Sequence, residues 1–80
     1  MRLSRHARNN MRFYDIMEAD LTSAIEAHDH IEVAEGKMTV LKMFPGKFSG
    51  YPLKVVFQKV ENEIIIVTAY PLKKALRRRF

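Results

Sequence analysis

The hydrophobic period of this chain changes once, near residue 29, and that change limits what it can fold into. Before it, apolar residues recur at helical spacing. Leu3, Ala7, Met11 and Tyr14 make one stripe, and Leu21, Ala24, Ile25 and His28 make another. After it, alternation of period two takes over in runs rich in β-branched residues. Helices are therefore predicted over 5–14 and 17–28, and strands over His30–Ala34, Lys37–Phe44, Leu53–Val60 and Glu63–Tyr70.

Local chemistry supports these limits. The hydroxyl of Ser4 suits an N-cap. Asp15 and Glu18 read as a capping box for the second helix. Glu35-Gly36 and Glu61-Asn62 are turn pairs, with Gly36 supplying a positive φ. Pro45–Gly50 is a loop, and Pro71 ends the last strand because proline cannot donate to a ladder. The four-residue run Ile64–Val67 is apolar on both faces, which places that strand centrally. The expected fold class is α+β: two N-terminal helices packed on one face of a four-stranded antiparallel sheet. Its core is expected to hold Leu21, Ile25, Val55, Phe57 and Ile65. Residues 1–71 form this domain, and 72–80 a basic tail of separate character.

Eighty residues suit one small domain, and a hydrophobic content of 48% supplies a core. With no cysteine, disulfides, thiolate metal sites and thiol nucleophiles are excluded. No apolar run approaches the roughly 20 residues that cross a bilayer, and the N-terminus lacks a secretory pattern. A cytoplasmic location and no membrane span are expected. The net charge is +5, unevenly spread. Arg2, Arg5, Arg8 and Arg12 crowd the first 14 residues without an acid, whereas 15–35 carry acids and neither Lys nor Arg. In the tail, Lys73, Lys74, Arg77, Arg78 and Arg79 are interrupted by Leu72, Leu76 and Phe80. That spacing fits a short basic amphipathic helix, or else a solvated terminus. Both ends favour anionic partners.

Two short signatures carry a family resemblance. One is His6-Ala7 followed by Met11 and Ile16; the other is Val55-Val56 with Ile66-Val67-Thr68-Ala69-Tyr70-Pro71. Together they resemble a family of small bacterial domains of uncharacterised function, grouped with the RelE/ParE and BrnT-type toxins of toxin–antitoxin systems, many of which cut RNA. Where the family frame has two arginines, a glycine and a serine, this chain has Asn10, Tyr14, Asp15 and Met17. The resemblance implies a RelE/ParE-like fold, RNA or the ribosome as target, and an antitoxin protein as partner.

The residues themselves allow such chemistry. His6 is the candidate general acid and base, because only histidine has an ordinary pKa near neutrality. Thr68 and Tyr70 lie two apart on one strand and can hydrogen-bond a phosphate. Arg5, Arg8, Arg12, Lys42, Lys54 and the tail cations Lys73, Lys74, Arg77, Arg78 and Arg79 are the candidate RNA contacts. His28-Asp29-His30 with Glu32 invites a metal reading, but no distant fourth ligand supports it, so neither metal nor cofactor is expected. The expected function is that of a toxin-like domain of a toxin–antitoxin system, either RNA-cleaving as a metal-independent endoribonuclease with His6 as general acid and base, or ribosome-interfering. The alternative is a non-catalytic RNA- or protein-binding domain on the same fold. An uncovered edge strand also leaves a homodimer or a borrowed strand open.

Overall fold

The structure, a computed structural model, describes residues 1–73. Two helices, α1 (Arg5–Tyr14) and α2 (Glu18–Glu26), follow a two-residue strand β1 (Arg2–Leu3). Four further strands come after them: β2 (His30–Ala34), β3 (Lys37–Lys42), β4 (Leu53–Val60) and β5 (Glu63–Pro71). The sheet order is β1-β5-β4-β3-β2. The fold is α+β, but the sheet is not the expected four-stranded antiparallel one. It has five strands and is mixed, because β1 pairs parallel to β5, with Arg2 opposite Ile65 and Leu3 opposite Ile66. Two residues are too few to show a period, so β1 left no pattern in the sequence. It exists because Ile65 and Ile66 offer a second ladder edge, which Leu3 and the Ser4 N–H (3.0 Å to the Ile66 carbonyl) complete.

Each helix end has an identifiable cause. The Ser4 hydroxyl accepts from the Ala7 N–H at 3.0 Å and starts α1. The helix stops at Asp15, which takes a left-handed conformation (φ 59°, ψ 46°), while the Ile16 N–H returns to the Met11 carbonyl at 2.8 Å. Aspartate is among the few residues besides glycine that tolerate this conformation. The capping box at Asp15 and Glu18 is not formed, since Asp15 belongs to the end of α1. Instead the Asp20 carboxylate accepts from the Met17 N–H at 3.0 Å. Asp20 is only 7% exposed, and its charge is met by Lys47 Nζ at 2.8 Å from the loop after β3. That loop is thus tied to the start of α2.

Both helices lie on one face of the sheet. Ala7, Ile16, Leu21 and Ala24 close over Val40, Leu53, Val55, Phe57, Ile66 and Ala69, and these residues form the core. Ile25 is half-buried rather than central, because it borders a small apolar cavity with Met1, Thr22, Glu26 and Ile64. Ile65 faces away from the core, opposite Gln58; its neighbour Ile66 faces in, opposite Phe57. A run of four apolar residues has no alternation from which to choose a face, so pairing with β4 chooses it.

The ladder between β4 and β5 has one irregularity. The register slips between Phe57–Ile66 and Val56–Thr68, leaving Val67 without a partner on β4. This is a β-bulge. Ile64 and Ile66 point towards the helices before it; Ala69 and Pro71 do so after it. Thr68 and Tyr70 would share the core face with Ile66 in an unbroken strand. The bulge turns both of them outward.

The bulge is held from the side by α1. Where β1 ends, the β5 edge would expose its carbonyls. The Ser4 hydroxyl donates to the Val67 carbonyl at 2.7 Å, and the Asn10 amide donates to the Ala69 carbonyl at 3.2 Å. Ser4 therefore caps a helix and anchors a bulge with one oxygen. Ser4→Ala is expected to lower stability by about 1–3 kcal/mol, a cap plus a half-buried hydrogen bond. Urea denaturation checks this, and an unchanged midpoint would show that neither bond contributes.

Candidate functional site

Helix α1 presents three stripes at i, i+3 or i+4, and i+7. Ala7, Met11 and Tyr14 face the core. Arg5, Arg8 and Arg12 form an exposed stripe on one flank. His6, Asn10 and Phe13 form the other. Asn10 joins that second flank to β5, because its amide reaches Thr68 Oγ1 at 3.3 Å as well as the Ala69 carbonyl. His6 lies one turn before Asn10 and is exposed. Phe13 lies one turn after it and is 79% exposed, with its ring edge-on to Tyr14 at 4.8 Å.

Beyond Asn10 the outer face of the sheet opens, with no described helix over it. Cross-strand pairing lines its side chains into rows. His30, Leu41, Lys54 and Tyr70 form one row; Glu32, Thr39, Val56 and Thr68 form the next. Lys54 Nζ stands 5.5 Å from the centre of the Tyr70 ring. The outer face offers a hydroxyl, a phenol and a cation, and the flank of α1 that Asn10 joins to it adds an amide, a histidine and an exposed aromatic ring. Such a set suits an extended ligand with phosphates and flat bases.

The structure therefore brings some sequence-predicted residues together and separates others. Thr68, Tyr70 and Lys54 share the outer face, whereas His6 is placed only on the α1 flank, one turn from the Asn10 that reaches Thr68. Arg5, Arg8 and Arg12 lie on the opposite flank, where Arg8 borders a shallow cleft with Met1, Arg2, Leu3 and Glu18. Lys42 points to the helix side, in phase with Val40, and its ammonium donates to the Ala27 carbonyl at the end of α2 (3.0 Å). That is a helix C-terminus contact, not an outward phosphate contact. Lys73 is exposed, 5.9 Å from the Tyr51 ring centre. Lys74, Arg77, Arg78, Arg79 and the short helix expected there lie outside the described residues. In the histidine cluster, the His28 ring meets the Ile25 carbonyl at 3.2 Å and the Asp29 carboxylate accepts from the Met43 N–H at 2.9 Å. Only His30 and Glu32 approach one another, at 3.8 Å.

Asn10 and Phe13 were not among the sequence candidates. Their signal was positional, at i+4 and i+7 from His6. Asn10 gains a clear role here. It ties α1 to the bulged strand.

The stretch that builds this geometry, from Leu3 at the core end of β1 to Pro71 at the end of β5, coincides with a family match. The description "Domain of unknown function (DUF4258)" matches residues 3–71. The chain belongs to the DUF4258 family. A family of small domains without a characterised function is what the two signatures implied. No curated protein and no solved structure matches this DUF4258 chain. Among its described residues, no helix is long and apolar enough to cross a membrane.

Proposed function

We propose that this DUF4258 domain binds single-stranded RNA along the His6–Asn10–Phe13 flank and the outer face of β4 and β5. There it cleaves the RNA with side chains alone, in the manner of the RNA-cutting toxins its signatures resemble. The observation that carries this reading is the bulge at Val67, which turns Thr68 and Tyr70 outward, beside Lys54 and towards the helix flank that bears His6. Bulges recur next to active sites because they re-aim side chains.

Each group has a role its chemistry allows. Phe13 and Tyr70 offer ring faces on which bases stack, worth roughly 1–3 kcal/mol per base. Thr68 and Lys54 face the phosphate. Neutral His6 takes the proton from a ribose 2′-hydroxyl as that oxygen attacks the adjacent phosphorus. The P–O5′ bond breaks, the 5′ oxygen leaves as a hydroxyl by taking a proton from solvent water, a 2′,3′-cyclic phosphate remains, and His6 returns its proton to solvent. Lys54 offsets the charge that builds on the non-bridging oxygens. Toxin behaviour in a cell, a ribosomal target and an antitoxin partner belong to this reading through the resemblance of the two signatures alone.

Incubation of the purified chain with end-labelled single-stranded RNA is expected to give 5′-hydroxyl and 2′,3′-cyclic phosphate ends. Binding should weaken with salt, with a log–log slope of about −0.7 for each phosphate neutralised. Removing residues 74–80 should flatten that slope. Binding without cleavage would leave the non-catalytic RNA-binding alternative. No binding at low salt would end both readings.

A further inference from the structure

The free edge of β2 carries an observation that RNA does not use. This strand is the last in the sheet and pairs only with β3. All five of its residues are exposed. Ile31 and Val33 stand opposite Val40 and Met38, so they point to the helix side. The helices pack over β3, β4 and β5, however, and leave Ile31 42% and Val33 70% exposed. Natural edges are usually blunted by lysine, proline or a bulge. Strand β2 has no lysine, proline or bulge and only the single charge of Glu32, and its register with β3 runs unbroken from His30–Leu41 to Ala34–Lys37. Among the described residues this edge is a flat, partly apolar template.

We propose that β2 pairs antiparallel with β2 of a second copy of this chain, making one continuous sheet across a twofold axis. Charge selects both the occupant and the register. Residues directly opposite in such a pair must face the same side, so few registers exist. With Ile31 opposite its own counterpart, His30 falls opposite the other copy's Glu32, twice. With Glu32 opposite its counterpart, two carboxylates face each other, which is destabilising. With Val33 opposite its counterpart, Glu32 meets Ala34 and gains no charged partner. Only the first register adds two cross-strand imidazole–carboxylate pairs to the 3.8 Å approach already present within each strand, while stacking the exposed isoleucines on the other face.

The contact is small, so the dimer is weak and concentration-dependent. Sedimentation equilibrium of the full chain without RNA, from about 10 µM to about 1 mM, tests it. The mass should rise from 9.4 kDa towards twice that value. Ile31→Lys places two ammonium groups at the axis and should hold the mass at the monomer value, with circular dichroism unchanged. Glu32→Lys should weaken association about tenfold, and adding His30→Glu to it should restore most of the loss. A wild-type chain that stays monomeric over the whole range overturns the proposal, as does an Ile31→Lys variant that dimerises like wild type. A double variant no better than Glu32→Lys overturns the register.

Discussion

His6→Ala is expected to slow RNA cleavage by on the order of 10²–10⁴-fold, the usual contribution of a positioned acid–base group. That loss corresponds to about 2.7–5.4 kcal/mol of barrier. The variant should fold normally, because His6 is exposed and accepts no described hydrogen bond. RNA affinity should change little, since binding rests on Lys54, the aromatic rings and the tail. The useful measurement is single-turnover cleavage beside filter binding. Equal rates for the variant and the wild type would remove His6 from the chemistry. A parallel loss of binding and rate would make it a contact residue instead. Arg8→Ala is the informative companion: its stripe faces away from the His6 flank, so both the cleavage rate and the salt slope should hold.

The second large effect concerns the fold. Leu21→Ala should destabilise the domain by about 2–5 kcal/mol, because Leu21 is fully buried between α2 and the sheet. A domain of this size has only about 5–15 kcal/mol to lose, and each kcal/mol moves the melting temperature by roughly 4–8 °C. Ile25→Ala, one turn further along α2, should cost less than half as much, since Ile25 is half-buried and borders an existing cavity. Chemical denaturation of the pair checks how α2 is rotated on the sheet. Equal costs would contradict the rotation described above.

The candidate site was partly legible for a physical reason. Lys54 could be assigned to the outer face because Leu53, Val55 and Phe57 alternate cleanly with it. The same logic applied to Lys42 puts it in phase with Val40, on the helix side, where it caps the end of α2. Grouping it with the phosphate contacts ignored that parity. Charge alone places Arg5, Arg8 and Arg12 of α1 among the candidate phosphate contacts. Helical geometry separates them from His6, since residues at i+1 and i+2 do not share a face. Asn10 and Phe13 do share one with His6, although neither residue type signals catalysis by itself.

Local sequence by itself determined the two helices, the turn at Glu35-Gly36, the strand content of β2 to β5 and the buried face of β4. Those features depend on residues a few positions apart, whose spacing, caps and alternation are written in the chain. Tertiary structure alone decided the parallel strand β1, the pairing of Asp20 with Lys47, and the bulge at Val67 that turns Thr68 and Tyr70 outward. Each of these joins segments far apart in the chain. Ser4 meets Val67, Asn10 meets Thr68 and Asp20 meets Lys47 only after the sheet has closed against the helices. No local period encodes such contacts, because their energy depends on which backbone groups the rest of the fold leaves unpaired.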